Sequence, residues 1–298
     1  METISRPWRA SLAAAGRSAL EHDLPTRASA IAYSAFFAIP STLLLIVGVF
    51  GLVADEGALD GLLDRLGRVT PPEATELLRG SLETLIERPG TGLLLTALGV
   101  LLASWTVTGA MAALVGGIDA ASGEKDGRSF VQRRLLASRL VATVGTLLVS
   151  VSALLVLGPL AQGWLGRKLD AERTVAIVWW ALELPLVLAA TVVAFAVLFA
   201  RAPHRSSTFR SSMGSATVTA VLWIGVSTGF MLYTSLLGSY DQAWGALSTV
   251  VVMLIWLWLS AAVILFGAEL DAARHRADAA GDVPPLPPER FPGEELGG

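Results

Sequence analysis

Glu183 is a carboxylate inside a long apolar run, where an acid is a candidate for proton exchange or for lining a polar cavity. The run covers residues 174–200 and also contains Pro185, two residues after the acid. A charge at the centre of a membrane-spanning helix costs about 2.5–3.5 kcal/mol on insertion scales, so it normally faces a bundle interior or water. The alternative is a structural acid, hydrogen-bonded to a Ser or Thr of a neighbouring helix. The sequence leaves both interpretations open.

Glu269 and Asp271 directly follow another charge-free run, residues 246–268. Carboxylates at the C-terminal end of a helix oppose the helix dipole, so basic partners are expected. We predict a structural ion-pair latch, with a site for an ion or an anionic headgroup as the alternative. The candidate basic partners lie in two loops, at Arg133, Arg134, Arg201 and Arg205.

Trp256 and Trp258 lie near the middle of the run 246–268. Tryptophan in a membrane protein normally lies at the interfaces, so two in mid-span predict helix packing or a cavity wall. Two residues apart, they point to different sides of a helix, and at least one should face the interior.

Motifs of the common enzyme classes are missing from the sequence. There is no GxxxxGK[ST] loop, no GxSxG elbow, no HExxH and no cysteine. The three histidines, His22, His204 and His275, are far apart and lack the spacing of metal ligands. A net charge of −3 argues against a nucleic-acid partner, which normally meets a basic face. We therefore predict a protein that is not an enzyme, with no catalytic residue, metal or cofactor.

Six charge-poor runs must position these residues. Each has the length of about 20 residues that crosses a bilayer, and backbone in hydrocarbon must be helical to satisfy its own polar groups. A hydrophobic content of 53% agrees with this interpretation. The sequence predicts an all-α membrane bundle over residues 30–275, with six transmembrane helices at about 30–54, 91–118, 139–164, 174–200, 214–237 and 246–268.

The segments outside the spans are predicted to be amphipathic or disordered. Residues 1–29 form a helix lying on the membrane surface or a solvated tail. Residues 55–90 contain two amphipathic helices that form an outer cap, and residues 276–298 form a disordered tail. Residues 119–138 form a polar loop.

Two packing features are expected inside the bundle. Pro40 should kink the first span and place it in the bundle interior, where neighbours can satisfy the freed carbonyl. Gly225 and Gly229 form a GxxxG pattern, which predicts close packing of the fifth span against another helix.

Basic residues indicate the orientation. With a cytoplasmic N-terminus, 15 of the 22 Lys and Arg residues fall on the inner side and 7 on the outer side. The positive-inside rule therefore places both termini in the cytoplasm.

The chain resembles the BrkB/YihY-like bacterial inner-membrane proteins, once misnamed ribonuclease BN, from about residue 23 to 275. Its most specific stretches are residues 30–40, Arg201-x-Pro203, Gly238-Ser239-Tyr240-Asp241 with Trp244-Gly245, Trp256, and residues 267–271. The resemblance implies six helices, cytoplasmic termini and a role in envelope lipid or lipopolysaccharide-precursor transport.

We take Tyr33, Pro40, Tyr240, Asp241 and Trp244 as further candidates for contact with a substrate or cavity. The leading hypothesis is a non-enzymatic transport or flipping factor for a lipid or other amphiphilic envelope component, driven by an ion gradient, a partner or the lipid gradient. The alternative is a structural anchor that binds an envelope-spanning protein on the outer cap. Membrane lipids are the expected partners in the first case.

Overall fold

A computed structural model describes residues 8–53, 91–123, 127–168, 171–203, 208–236 and 246–281. These residues form helices, and no strand occurs among them. Six of the helices are long and apolar enough to cross a membrane, which confirms the predicted all-α fold with six candidate spans. The helices are α1 (Trp8–Glu21), α2 (Leu24–Val53), α3 (Thr91–Ala121), α4 (Phe130–Lys168), α5 (Glu172–Arg201), α6 (Phe209–Leu236) and α7 (Ala246–Gly281).

The six long helices form a closed ring in chain order. Each of α2 to α6 packs against the next helix, and α7 closes the ring by packing against both α6 and α2. In addition, α7 contacts α3 and α1, so it has more helical neighbours than any other element of the described chain. The short helix α1 lies against α7, and its buried face consists of Ser11, Ala15 and Ala19.

The buried core lies at one end of the ring. Val115 and Ile118 of α3, Phe199 of α5 and Leu265 of α7 are almost fully buried there. These residues lie near the ends of α3 and α5 and in the C-terminal half of α7, the end at which α1 also packs. We call it the termini end. Towards the opposite end, many large apolar side chains of every span are exposed, which suits contact with lipid.

Two glycines allow α2 and α3 to touch through their backbones. A Cβ on Gly48 would lie 2.5 Å from the main-chain nitrogen of Thr96, and one on Gly99 would lie 2.5 Å from Cα of Leu45. Small residues at membrane helix interfaces permit this close approach, and the contacts it creates hold such helices together.

The helices extend beyond the predicted spans. The loop between α3 and α4 covers only residues 122–129, so Arg133 and Arg134 lie in the first two turns of α4 rather than in a loop. Likewise, α7 continues to Gly281, which makes the first residues of the predicted disordered tail helical. The apolar runs predicted only the part of each helix that suits hydrocarbon, and a helix does not end where hydrocarbon ends.

Two packing predictions are wrong. Pro40 lies within α2 but is exposed, and most described residues of α2 are exposed or only partly buried, so α2 is not an interior helix. A Cβ on Gly225 or Gly229 would meet no atom within 4 Å in the described structure, so the GxxxG pattern does not face another helix. Small residues are common in membrane helices generally, so spacing alone did not reveal a packing face.

The predicted outer cap, residues 55–90, lies outside the described residues, and so does most of the predicted tail.

Candidate functional site

Glu269 of α7 bonds to a histidine 247 residues away in sequence. Its Oε1 is 2.6 Å from Nδ1 of His22, in the turn between α1 and α2. Glu269 is only 2% exposed, and its Oε2 is buried without a hydrogen-bond partner among the described residues. Burying a carboxylate is unfavourable unless it is paired, so His22 supplies the contact that makes this position tolerable.

The turn that carries His22 is held in place by further hydrogen bonds. Asp23 adopts a left-handed conformation with φ of 52°, which lets the chain reverse between α1 and α2. Nε of Arg27 donates to the carbonyl of His22 at 2.9 Å, and Nε1 of Trp258 donates to the carbonyl of Pro25 at 3.2 Å. The junction of α1 and α2 is therefore bonded to α7 at two positions along that helix, Glu269 and Trp258.

Asp271 points to a different neighbour, α6. The hydroxyls of Ser215 and Ser212 donate to its carboxylate at 2.7 Å and 3.2 Å. Nδ1 of His275, one turn further along α7, lies 3.5 Å from Oδ2 of Asp271, and Nε2 of the same ring lies 3.0 Å from the hydroxyl of Ser211. Asp271 is 5% exposed, so hydroxyl donors and a histidine replace the water it has lost.

Asp119 forms a third buried acidic position at the termini end, next to the C-terminus of α3. It is almost fully buried, and Nη1 of Arg128 lies 3.2 Å from its Oδ2. The same nitrogen donates to the carbonyl of Ala202, just after α5, at 2.9 Å. One arginine thus joins the α3–α4 loop to the end of α5.

The predicted latch has the wrong partners. Glu269 and Asp271 are bonded to His22, serines and His275 rather than to Arg133, Arg134 or Arg201. Arg201 is exposed, while Arg133 and Arg134 lie along α3. Arg205 lies outside the described residues.

The sequence held a signal for His275 but none for His22. His275 follows Asp271 by four residues, which places both side chains on one face of a helix. No local pattern indicates that His22 lies beside Glu269, because only the tertiary fold brings them together.

A groove opens between α4 and α5. It has a volume of 340 Å³ and is partly open rather than enclosed. Its lining is almost entirely apolar: Thr143, Thr146 and Ser150 of α4 contribute mainly carbon surface, and the hydroxyl of Thr143 donates to the carbonyl of Arg139 within α4. The remaining lining residues are Val144, Leu147, Val193, Ala194 and Val197.

The two mid-span tryptophans of α7 face different neighbours. Trp256 packs edge-on against Trp223 of α6, with ring centroids 6.3 Å apart. Trp258 reaches the start of α2 through its bond to the carbonyl of Pro25. Both are partly buried and serve helix packing in the structure; neither lines the α4–α5 groove.

The remaining candidates are dispersed. Tyr33 is exposed on α2, with its ring 4.9 Å from that of Phe37. Glu183 is partly exposed, makes no hydrogen bond with the described residues and does not line the groove, so its role as a functional or structural acid stays a prediction. Three of the candidates, Tyr240, Asp241 and Trp244, lie outside the described residues.

Comparison with known proteins identifies the family. The profile of the family described as Virulence factor BrkB matches residues 15–290, almost the entire chain. The chain belongs to the BrkB family. This confirms the resemblance seen in the sequence, and the six membrane-length helices agree with the relatives that are named as membrane proteins.

Curated relatives carry two kinds of name. A ribonuclease-like protein by name, YfkH of Bacillus subtilis (strain 168), is 28% identical over 221 residues, which is 73% of this chain and 78% of YfkH. A UPF0761 membrane protein of Chromobacterium violaceum is 27% identical over 179 residues, 60% of this chain and 41% of that protein. A UPF0761 membrane protein of Pseudomonas aeruginosa (strain LESB58) is 39% identical over 83 residues, 28% of this chain and 20% of that protein.

The matched stretch thus spans less than half the length of these UPF0761 relatives. No solved structure matches this chain. Within the described ranges, no group of three or more His, Asp or Glu side chains could hold a metal ion.

Proposed function

We propose that the protein moves a lipid or another amphiphilic envelope component within the cytoplasmic membrane, without an enzymatic step. The observation that carries this proposal is the partly open groove between α4 and α5, two membrane-length helices. Its volume falls in the range of ligand sites, about 300–1,000 Å³. Its almost entirely apolar lining suits the apolar chains of such a molecule.

The groove also favours transport over the structural-anchor hypothesis. A partly open apolar groove between two spans is what a lipid carrier needs, whereas an anchor needs an apolar docking face on the outer cap. That cap lies outside the described residues.

Filling the groove should slow lipid movement. Thr146 is exposed and lines the groove, so Thr146→Trp adds bulk there without crowding the core. In liposomes that contain the purified protein, we expect the rate of flipping of fluorescent phosphatidylglycerol, measured by dithionite quenching, to fall about tenfold, as a barrier about 1.4 kcal/mol higher predicts.

Leu148→Trp provides the matched control. Leu148 is exposed and lies two residues further along α4, on the opposite side of the helix from Thr146, and it does not line the groove. The rate of phosphatidylglycerol flipping by the Leu148→Trp variant should equal that of the wild type. Equal rates for Thr146→Trp and Leu148→Trp, or no flipping by the wild type above protein-free liposomes, would exclude the groove as a lipid path.

The proposed orientation places the termini end in the cytoplasm. Reporter fusions at Gly127, in the α3–α4 loop, and after Gly281 should give cytoplasmic signals, because the segments on that side of the spans together carry 15 of the 22 basic residues. Fusions within residues 54–90 should give signals on the outer side of the membrane. A periplasmic signal at Gly127 would contradict this topology.

A further inference from the structure

Arg134 places its charge beside the middle of α3. Its guanidinium carbon lies 4.3 Å from the centroid of the Trp105 ring, and its Nη2 donates to the main-chain carbonyl of Trp105. Since α3 covers Thr91–Ala121, Trp105 lies near its midpoint, about 24 Å from the end of α3 at Ala121 at about 1.5 Å per residue. The guanidinium is therefore level with the centre of a membrane-length helix.

The Arg134 side chain points in the direction opposite to that usual for an arginine near the end of a span. An arginine near the end of a span normally extends its long side chain towards the nearer interface, where its charge meets water and headgroups. Arg134 lies in the second turn of α4, yet its side chain extends along α3 away from the termini end.

Glycines on α3 leave room for this arrangement. A Cβ on Gly109 would lie 3.4 Å from Nη1 of Arg134, and one on Gly116 would lie 3.9 Å from Nη1 of Arg133. The guanidinium groups of both arginines thus lie beside glycines of α3, where no side chain occupies the space. The space beside Gly109 is occupied by the guanidinium of Arg134 rather than by the backbone of a closely packed helix.

The guanidinium has donors that the described residues do not use. It carries five N–H donors, and its partners in the described structure are the ring and the carbonyl of Trp105. No described carboxylate forms an ion pair with Arg134. A cation at this depth is unfavourable without an anion, and planar guanidinium groups bind phosphate through two parallel hydrogen bonds.

The exposed apolar side chains near Arg134 indicate which kind of anion would bind there. Trp105 is 63% exposed, and Leu101 and Leu102, on the preceding turn of α3, are exposed as well. A charged site beside exposed apolar side chains matches a ligand that has an anionic head and apolar chains. An inorganic anion would gain nothing from these side chains.

We propose that Arg134 and Trp105 form a binding site for the phosphate group of a membrane phospholipid, held beside the middle of α3. The site is separate from the α4–α5 groove. Thr143, which lines the groove, lies nine residues from Arg134, or two and a half turns at about 3.6 residues per turn, so the two side chains point to opposite sides of α4. Phospholipid binding at Arg134 is therefore independent of whether the groove transports lipid.

Native mass spectrometry of the full chain, purified in detergent, tests this site with three lipids. Phosphatidylglycerol and phosphatidylcholine carry the phosphate, and diacylglycerol lacks it. We expect Arg134→Gln to lower the bound fraction of phosphatidylglycerol about tenfold, the effect of losing a charge-assisted pair of hydrogen bonds. Diacylglycerol should not bind above background, and excess inorganic phosphate should not displace phosphatidylglycerol.

Arg139→Gln is the matched control, since Arg139 is an exposed arginine of the same helix and the charge change is identical. It should bind phosphatidylglycerol like the wild type. Equal binding by wild type and Arg134→Gln, or equal losses in Arg134→Gln and Arg139→Gln, overturns the proposal. Diacylglycerol binding as strong as that of phosphatidylglycerol overturns it too, and full displacement by inorganic phosphate would assign the site to free phosphate.

If Arg134→Gln does not fold, phosphatidylglycerol binding by Trp105→Leu tests the site instead. Trp105 is largely exposed, so the substitution should leave the fold intact while it removes the ring that positions the guanidinium. Phosphatidylglycerol binding should fall about threefold to tenfold. A bound fraction equal to that of the wild type would overturn the site.

Discussion

Replacing Gly267 by alanine should strongly destabilise the bundle. A Cβ at this position would overlap the hydroxyl oxygen of Thr219 and lie 2.8 Å from its Cγ2 and 2.9 Å from Cζ of Phe199. Thr219 and Phe199 are each 1% exposed, so neither has room to move. Overpacking a core usually costs about 1–3 kcal/mol, and here two helices, α5 and α6, would have to shift away from α7.

Thermal unfolding in detergent should show this loss, and two further variants sharpen the result. The double variant Gly267→Ala with Thr219→Ala removes the overlapping atoms and should recover most of the melting temperature. Gly225→Ala, at a glycine with open space around it, should be neutral or stabilising by up to about 1 kcal/mol, because alanine favours a helix more than glycine does. An unchanged melting temperature for Gly267→Ala would mean that α7 does not approach α5 and α6 as described.

Replacing His22 by alanine should release the junction of α1 and α2 from α7. Glu269 would then remain buried without the partner that now lies 2.6 Å away. Leaving a buried hydrogen-bonding group without its partner costs about 1–3 kcal/mol, and more when that group is charged; His22 itself is partly exposed. The melting temperature in detergent should fall, and α1 should become cleavable by protease.

The matched control is Glu21→Ala, which changes the exposed last residue of α1, next to His22, and should leave both measurements unchanged. The double variant His22→Ala with Glu269→Leu removes the unpaired charge as well as the bond, so it should be more stable than His22→Ala alone. If His22→Ala and Glu21→Ala melt at the same temperature, the contact between His22 and Glu269 does not hold the junction.

The sequence predicts the spans of this fold well because the requirement is local. A backbone in hydrocarbon must bond to itself, so each charge-free run of sufficient length has to be helical. The positions of Arg133 and Arg134 show where this reasoning fails. Their charges indicated a loop, but a helix can continue past its apolar stretch, and arginine is a good helix former.

Side-chain partners could be predicted only where they are close in sequence. The charge of Glu269 required a partner, but the choice of His22 over the nearby arginines depends on how the turn after α1 lies on α7. Gly225 and Gly267 illustrate the same limit. Both are glycines in apolar spans, yet a Cβ on Gly225 would meet no described atom within 4 Å, whereas a Cβ on Gly267 would meet Thr219 and Phe199, and composition does not distinguish them.

The central position of α7 has a consequence for biogenesis. This helix contacts α1, α2, α3 and α6, and it carries Glu269 and Asp271, which bond to His22 and to the serines of α6. The ribosome synthesises α7 after the other five spans, so those spans enter the membrane before the helix that joins them exists. The ring can close only at that late step, because Glu269 and Asp271, the acidic partners of His22, Ser212 and Ser215, are not synthesised before then.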